Sequence, residues 1–199
     1  MQKQQIKNII FDLGNILVDV DYKRFTDAMD WDYDKFMSFF NSEFFREFEI
    51  GKHSEEMFFV ELNKHMPLKE GDEQRYRDNI HKTFSLRPRT WAKVHWLKKH
   101  YKIILFSNTN SLDYNALDKI IDLKRVIRSS YVSHAQGYIK PDPRSYQCLV
   151  ELFNIEPAES LFVDDLKENI DGAKKAGWNA ELIDSEARLF EVLEKYQIN

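Results

Sequence analysis

Residues 7–15 read KNIIFDLGN, and this stretch decides the fold. A strand is predicted over Lys7–Phe11, because the apolar run at its end is typical of a strand buried on both faces of a parallel sheet. The run stops at Asp12, and Gly14 follows closely. Open α/β sheets bind their ligands at the carboxyl ends of their strands. The stretch therefore predicts a carboxylate at the ligand-binding edge of such a sheet.

Two later apolar runs also end in polar residues. The strand predicted at Lys102–Phe106 is followed by Ser107-Asn108, and the strand predicted at Leu161–Val163 is followed by Asp164-Asp165. Because parallel strands place their carboxyl ends at one edge of the sheet, these side chains are expected to meet Asp12 there. The three strands together predict one functional site.

Predicted helices and strands alternate from residue 88 onwards. Two more strands and five helices are expected, at Tyr131–Ser133, Ala180–Ile183, Arg89–His100, Ser111–Ile121, Pro143–Phe153, Lys167–Ala176 and from about Glu186. Strands that alternate with helices of about ten to fifteen residues predict a Rossmann-like, doubly wound parallel α/β sheet.

The segment between the first strand and residue 88 is helical in pattern and rich in aromatic residues. Eight of the fifteen phenylalanines lie between Phe36 and Phe59. Phe36, Phe39, Phe40 and Phe44 keep the spacing of one helix face, and we interpret this stripe as the core of a helical bundle rather than a substrate pocket.

Two further helices are predicted in this segment, and no strand. One begins after Gly51 with Ser54 as its N-cap and carries three inward residues, Met57, Phe58 and Leu62. The other spans Asp72–Phe84. The predicted organisation is a catalytic core made of residues 1–18 plus 88–199, into which residues 19–87 are inserted as an α-helical cap.

Composition narrows the class of protein. A chain of 199 residues can bury a substantial core. Its net charge of -4 argues against a nucleic-acid-binding protein, which usually shows a basic face. The single cysteine, Cys148, suits a reducing compartment. The sequence shows neither a signal peptide nor an apolar stretch of the ~20 residues that span a bilayer. We therefore expect a cytoplasmic protein without membrane or nucleic-acid partners.

The polar residues at the strand ends make chemical sense together with Lys140. An aspartate such as Asp12 can attack phosphorus, and the carboxylates Asp164/Asp165 can hold the divalent cation that this chemistry needs. Oxygen ligands suit Mg²⁺. The hydroxyl and backbone N–H groups of Ser107-Asn108 can hold the transferred group, and Lys140 can neutralise charge. The set predicts phosphoryl transfer.

Each of these residues also has an ordinary structural interpretation. Asp12 can begin a turn, Ser107 or the asparagines after it can cap the next helix, and Lys140 can be a solvated lysine. Asp165 and Glu168 match the spacing of a capping box. The four motifs in this order favour the functional interpretation.

The motifs resemble the haloacid dehalogenase (HAD) superfamily, in which aspartate-nucleophile phosphatases dominate. The matching segments are IFDLGN at 10–15, LFSNTN at 105–110, GYIKPDP at 137–143 and FVDD at 162–165, followed by Asn169. The resemblance covers the whole core, and the insertion is similar to the superfamily's type I cap. The first two motifs look closest to the branch that contains bacterial α-D-glucose-1-phosphate phosphatases.

The resemblance implies a role for each site residue. Asp12 is implied to be the nucleophile and a Mg²⁺ ligand. Ser107 and Lys140 are implied to bind phosphate, with Lys140 also steadying Asp12. Asp165 is implied to be the main further metal carboxylate and Asp164 a supporting one. Asn169, one helical turn further on, is implied to support this site from outside the metal's own ligands.

Gly14 departs from the family pattern. Most phosphatases of the superfamily carry a second aspartate at this position, which protonates the leaving group and later activates water. The backbone carbonyl of Gly14 can still reach the metal, but the side-chain acid is absent. General acid–base help is worth ~10²–10⁴-fold in rate. Asp19 and Asp21 are the nearest carboxylates in sequence, and Asp19 is the candidate replacement; the alternative is a solvated hinge.

The sequence thus predicts a Mg²⁺-dependent phosphomonoester hydrolase that acts on a small phosphorylated metabolite, sugar phosphates included. A sugar 1-phosphate would need little protonation, because its leaving group is good. The second interpretation is a weak or inactive binding or regulatory protein on the same scaffold. The third is a 2-haloacid dehalogenase, against which the metal-binding pair Asp164/Asp165 argues. No particular substrate, oligomeric state or pathway is predicted.

Overall fold

The computed structural model describes residues 5–198, and its centre is a parallel sheet. The strands described are β1 Asn8–Phe11, β2 Val18–Val20, β3 Phe84–Leu86, β4 Lys102–Ser107, β5 Ser129–Val132, β6 Ser160–Asp164 and β7 Asn179–Leu182. Five of them form the main sheet in the order β5-β4-β1-β6-β7, and every neighbouring pair is parallel. The predicted α/β fold class is confirmed.

The central strand β1 explains where the site lies. Its residue Phe11 pairs with Leu105 of β4 on one side and Val163 of β6 on the other. Ile9 and Phe11 pack into one apolar cluster and Ile10 into another, because successive side chains of a strand point to opposite faces. Both faces of β1 are therefore covered, and its carboxyl end delivers Asp12 between two neighbouring strands.

The helices lie in two groups. Those inserted after β2 are α1 Tyr22–Met29, α2 Tyr33–Phe40, α3 Glu43–Glu49, α4 Glu55–His65 and α5 Asp72–Asn79. Those that alternate with the main-sheet strands are α6 Pro88–Leu97, α7 Ser111–Ile121, α8 Leu123–Val126, α9 Ser133–Gln136, α10 Pro143–Phe153, α11 Lys167–Lys175 and α12 Glu186–Lys195. Within residues 5–198, none of them is both long enough and apolar enough to span a bilayer.

Helix α10 begins as its sequence predicts. The Asp142 side chain accepts a hydrogen bond from the backbone N–H of Arg144 at 2.9 Å, and Pro143 occupies the first turn. Proline fits there because the first helical N–H has no partner within the helix.

The inserted helices form a bundle around aromatic side chains, as the stripe predicts. Phe36, Phe39 and Phe58 are fully buried there and pack with Tyr76 of α5. This aromatic cluster also takes in Leu112 and Ala116 of α7, so the bundle shares its core with one helix of the main sheet.

Two details of the predicted bundle are wrong. Phe44 does not continue the helix face of Phe36, because α2 ends at Phe40 and Ser42 then caps α3 by accepting from the N–H of Phe45 at 3.2 Å. Met57 is 49% exposed rather than inward, although the predicted N-cap of its helix is correct. Serine competes for backbone N–H groups, which favours a break over a continuous helix.

The prediction that the third helix extends to Phe84 without any strand is also wrong. Helix α5 ends at Asn79, and Phe84 begins β3, which pairs antiparallel with β2. This ribbon carries the chain into and out of the inserted helices. A pair of three-residue strands leaves too short an alternation to detect in the sequence. The predicted boundary between residues 18 and 19 falls inside β2, and the division into core and cap remains a prediction.

Candidate active site

Lys140 lies at the centre of the polar groups at the sheet edge. Its Nζ donates to Asp12 Oδ1 at 2.6 Å, to Asp164 Oδ2 at 2.6 Å and to the carbonyl of Phe106 at 2.8 Å. All three charged side chains are buried. An ammonium group has three N–H donors, so Lys140 has none left for a further acceptor in this arrangement.

Asn108 fixes the backbone of Lys140. Its Nδ2 donates to the Lys140 carbonyl at 2.9 Å, and its Oδ1 accepts from the Lys140 N–H at 2.8 Å. The side chain of Asn108 thereby acts as a strand-like partner for the loop that delivers the lysine. The sequence predicts a site role for Asn108 but not this one.

Burial controls the charge state of the centre. Burial raises the pKa of Asp12 to about 7, although the positive charge of Lys140 opposes the shift. Burial would lower the pKa of Lys140, but the attraction of Asp12 and Asp164 outweighs it and raises that pKa above its usual value. One ammonium group thus faces two buried carboxylates, and the site is short of positive charge.

A cation site fits this shortage. Single carboxylate oxygens of Asp12, Asp164 and Asp165 all lie within 4.8 Å of one another. Asp165 is half-buried, and Asn15 Nδ2 holds its Oδ2 at 2.9 Å. An all-oxygen set of this kind suits a hard divalent cation such as Mg²⁺. The residues present therefore fit the predicted metal.

Asp164 is the most constrained of the three carboxylates. Besides Lys140, it accepts from Asn169 Nδ2 at 3.0 Å on each oxygen and from the N–H of Leu166 at 2.8 Å. Leu166 is the N-cap position of α11 and makes no side-chain capping bond. The capping-box interpretation of Asp165 is therefore wrong, and the hydrogen bond found for its carboxylate is the one from Asn15.

Ser107 is the buried last residue of β4. The structural alternative, that Ser107 and the asparagines after it cap the next helix, is confirmed for Asn110, which accepts from the N–H of Asp113 at 3.0 Å, but not for Ser107. Ser107 is thus placed at the same sheet edge as Asp12, one strand away.

Gly14 runs close beside the second oxygen of Asp12. A Cβ atom built on Gly14 would lie 3.9 Å from Asp12 Oδ2 and 3.3 Å from a methyl group of Val20. A side chain at this position would consequently begin beside the Asp12 carboxylate and in close contact with Val20. Metal binding by the Gly14 carbonyl remains a prediction.

Asp19 lies on the ribbon rather than in the buried centre. It belongs to β2, its side chain is 49% exposed, and Arg87 Nε donates to its Oδ1 at 2.6 Å. Arg87 also bonds the carbonyl of Asn15. In this arrangement Asp19 is an ion-pair partner, and its role as an acid remains a prediction.

The inserted helices touch the core next to the site. Ser133, directly after β5, accepts from the N–H of Thr109 at 2.9 Å and donates to the carbonyl of Glu49 at 2.6 Å. Gly51 has a φ of +75°, and a Cβ atom there would lie 2.1 Å from the His134 carbonyl. Backbone meets backbone at this junction, and only glycine fits. The sequence indicates that a helix begins after Gly51 but gives no sign of this backbone contact.

Comparison with known proteins gives one matching family model. It is described as haloacid dehalogenase-like hydrolase, and it matches residues 6–177. D-ribitol-5-phosphate phosphatase of Bacteroides thetaiotaomicron is 28% identical in an alignment of 189 positions that covers 87% of this chain and 89% of that protein.

Solved structures share the fold. A HAD family enzyme from Bacteroides thetaiotaomicron, in complex with magnesium and inorganic phosphate, superposes with a TM-score of 0.83 at 21% identity, covering 93% of this chain and 99% of that one. A HAD-like family hydrolase from Porphyromonas gingivalis gives a TM-score of 0.83 at 21% identity, covering 98% of this chain and 99% of that one. These matches agree in fold with the architecture described above.

Proposed function

Because this chain belongs to the haloacid dehalogenase-like hydrolase family, we propose that it is a Mg²⁺-dependent phosphatase with Asp12 as its nucleophile. Membership of the family confirms the prediction of a hydrolase. The proposed substrate is the monoester of a small phosphorylated metabolite, sugar phosphates included. The finer resemblance to α-D-glucose-1-phosphate phosphatases remains a prediction.

One observation carries the proposal. Lys140 joins Asp12 to Asp164 in a buried centre whose carboxylates also approach Asp165. A nucleophilic carboxylate needs nearby positive charge before a phosphate dianion can approach it. The centre supplies part of that charge from Lys140 and offers three oxygens for the rest. The curated phosphatase relative, which matches almost the whole chain, supports the same chemistry.

The geometry assigns a part to each oxygen of Asp12. Oδ1 accepts from Lys140, so Oδ2 is the oxygen proposed to attack phosphorus. As the new bond from Oδ2 forms, the bond from phosphorus to the substrate oxygen breaks, and that oxygen takes up a proton from solvent water or from Asp19, the candidate acid. Attack of water on phosphorus then breaks the aspartyl-phosphate, releases inorganic phosphate and returns Asp12 to its carboxylate form.

The other residues position the phosphoryl group and neutralise negative charge. We propose that Ser107 and the backbone at Asn108 hold the phosphoryl oxygens. Lys140 uses its three donors within the protein, so it acts through its charge and through the orientation that it gives Asp12. Asp12 and Asp165, with Asp164 in support and the Gly14 carbonyl as a further ligand, would hold Mg²⁺, which would supply the positive charge that the centre lacks.

Phosphate release from p-nitrophenyl phosphate tests the proposal. We expect turnover in Mg²⁺, none in EDTA, recovery when Mg²⁺ is returned, and a loss of at least about 10³-fold in Asp12→Asn. Asp171→Asn is the matched control, because Asp171 is paired with Lys167 on α11 away from the centre. Normal turnover by Asp12→Asn would refute the mechanism.

The same assay separates the other interpretations. An inactive binding protein would bind Mg²⁺ and phosphate without turning over any phosphomonoester. A dehalogenase would release halide from 2-haloacids in EDTA, and the three-carboxylate cluster argues against this chemistry. We also propose a cytoplasmic location, supported by the lone free thiol of Cys148.

A further inference from the structure

A polar cluster at the contact between the inserted helices and the core has no part in the steps above. The Tyr22 hydroxyl, at the start of α1, donates to Asp113 Oδ2 at 3.1 Å. Asn110 Nδ2 donates to the same oxygen at 3.0 Å. Asp113 lies in the first turn of α7 and is 5% exposed, and its other oxygen, Oδ1, is buried without a hydrogen-bond partner among the described residues.

Helix capping does not account for this arrangement. Asn110 already caps α7 through its own Oδ1. In a complete capping box the carboxylate three residues later would return to the backbone N–H of the N-cap residue. Asp113 instead accepts hydrogen bonds from Asn110 and Tyr22 on one oxygen, and its other oxygen has no partner among the described residues. An unpaired buried acceptor costs about 1–3 kcal/mol, so Oδ1 is placed there at the expense of stability.

Glu49 adds a second carboxylate from the inserted helices. It is the last residue of α3, half-buried, and no hydrogen bond to its carboxylate is found within residues 5–198. Its carbonyl is fixed to Ser133 at 2.6 Å, and Ser133 is bonded to Thr109 in the segment between β4 and α7. Burial raises the pKa of Glu49, and the negative charge of Asp113 raises it further. The two carboxylates therefore interact electrostatically.

Ser133, which is hydrogen-bonded to Glu49 of the cluster, follows a strand two places from the one that delivers Asp12. Ser107 at the end of β4 pairs with Val132 at the end of β5, and β4 is the neighbour of β1. Adjacent strands are about 4.8 Å apart, so Ser133 is about two strand spacings, or ~10 Å, from the strand that delivers Asp12. That span suits the body of a small substrate whose phosphate is held at Asp12.

We propose that Asp113, Glu49 and Tyr22 form the subsite that receives the hydroxyl groups of the substrate, which is therefore the phosphomonoester of a polyol or sugar. This inference rests on the proposed phosphatase function. Carboxylate and phenol oxygens are acceptors for hydroxyl donors, and a few convergent polar groups are what fixes a small ligand in its pocket.

The charge state of the subsite agrees with this assignment. Burial raises the pKa of Asp113 to about 6 and that of Glu49 to about 7. Near neutral pH the pair therefore carries less than two full negative charges, which limits its repulsion of a phosphate anion. A protonated carboxyl group can also donate a hydrogen bond to a substrate hydroxyl.

The test compares substrates with and without hydroxyl groups. The readout is kcat/KM for the best of a panel of pentitol, pentose and hexose phosphates, divided by kcat/KM for p-nitrophenyl phosphate. Asp113→Asn and Glu49→Gln are each expected to lower this ratio at least about tenfold, mainly through KM, because each alters a charged hydrogen-bonding group. Asp118→Asn on α7 and Glu43→Gln on α3 are the matched controls, and their ratios should stay within about twofold.

Unchanged ratios in both Asp113→Asn and Glu49→Gln would overturn the inference, provided that circular dichroism shows both variants folded. It would equally fail if ethyl phosphate, which carries no hydroxyl group, were as good a wild-type substrate as every polyol and sugar phosphate.

A binding measurement separates this inference from the proposed function. Calorimetry on Asp12→Asn in Mg²⁺ compares a pentitol 5-phosphate with inorganic phosphate, and adding Asp113→Asn should weaken only the former about tenfold. If the wild type hydrolyses nothing, the phosphatase proposal fails and the binding result alone judges the subsite. If the pentitol phosphate binds no more tightly than inorganic phosphate, the subsite is refuted while the phosphatase stands.

Discussion

Replacing Lys140 by methionine tests the electrostatic account of the centre most directly. The change keeps most of the buried aliphatic volume but removes the ammonium group and its three hydrogen bonds. Asp12 and Asp164 would then face each other in the interior without a compensating charge. Removing one partner of a buried ion pair typically costs about 3–5 kcal/mol.

The loss should depend on pH, and its sign follows from linkage. Without Lys140, burial raises the folded-state pKa of Asp12 further above its unfolded value. Carboxyl groups with raised folded pKa values favour the folded state at low pH and disfavour it as pH rises through those values. We expect the deficit relative to wild type to grow from about 1–2 kcal/mol at pH 5 to about 3–5 kcal/mol at pH 8.

Urea unfolding in EDTA, followed by the fluorescence of the four tryptophans, measures this deficit. With a slope of about 2–3 kcal/mol per molar urea, the midpoint should fall by about 1–2 M at pH 8. Lys7→Met is the matched control, because its ion pair with Glu159 has the similar distance of 2.7 Å but a lysine side chain that is 62% exposed. Exposed pairs contribute about 0–1 kcal/mol.

Two results would refute the reasoning. The first is a loss of unfolding free energy in Lys140→Met that is no larger than the loss in Lys7→Met. The second is a loss in Lys140→Met that is the same at pH 5 and at pH 8. Adding Asp12→Asn to Lys140→Met provides a further check. It removes one of the two stranded charges and should recover part of the lost free energy of unfolding, because contacting residues are not additive.

Three further predictions follow from the geometry. Gly14→Asp should raise kcat on alkyl phosphates by up to about 10²-fold, and less on p-nitrophenyl phosphate, because the new carboxyl group would start 3.9 Å from Asp12 Oδ2 and could serve as the missing acid. Equal gains on both substrates would argue against proton donation. Gly51→Ala should lower the free energy of unfolding, measured by urea titration, by well over the ~1–2 kcal/mol of left-handed strain, because its Cβ would collide with the His134 carbonyl. Gly71→Ala is the control and should cost about that strain alone, because a Cβ there meets nothing within 4 Å. Both carboxyl groups have raised pKa values in the folded state, so they favour folding at low pH and the free energy of unfolding declines between about pH 4 and 7. The double variant Glu49→Gln/Asp113→Asn should reduce this decline by at least about 1 kcal/mol. An unchanged decline would contradict the assignment.

The strands and the residues at their ends were accessible from the sequence because they are local signals. A buried run that stops at a carboxylate occurs at Asp12 and again at Asp164, and each strand of the main sheet lies within two residues of its predicted position. The edge of a parallel sheet then places these residues side by side without any further information. Helices with strong end signals, such as Pro143–Phe153, were equally predictable.

The errors fall where tertiary context overrides a short pattern. The spacing from Phe36 to Phe44 is compatible with one helix, and only the contacts made by Asn41 and Ser42 interrupt it. The strand that begins at Phe84 is three residues long and is stabilised by its pairing with β2, far away in the sequence. Long-range pairing of this kind leaves little trace in local composition.

The same distinction explains why the sequence suggests candidates for the chemistry more readily than candidates for the specificity. Sequence motifs single out Asp12, Lys140 and Asp164. Glu49 and Asp113 belong to no motif, and their proposed role depends on how the fold places α3 relative to α7. Asp113 looks in sequence like an ordinary acidic residue in the first turn of a helix, where such residues are common. Its unpaired buried oxygen is visible only in three dimensions. Residues that choose a substrate can vary within a family whose reaction is constant, and the structural sign of such a residue is a polar group that the fold itself leaves unsatisfied.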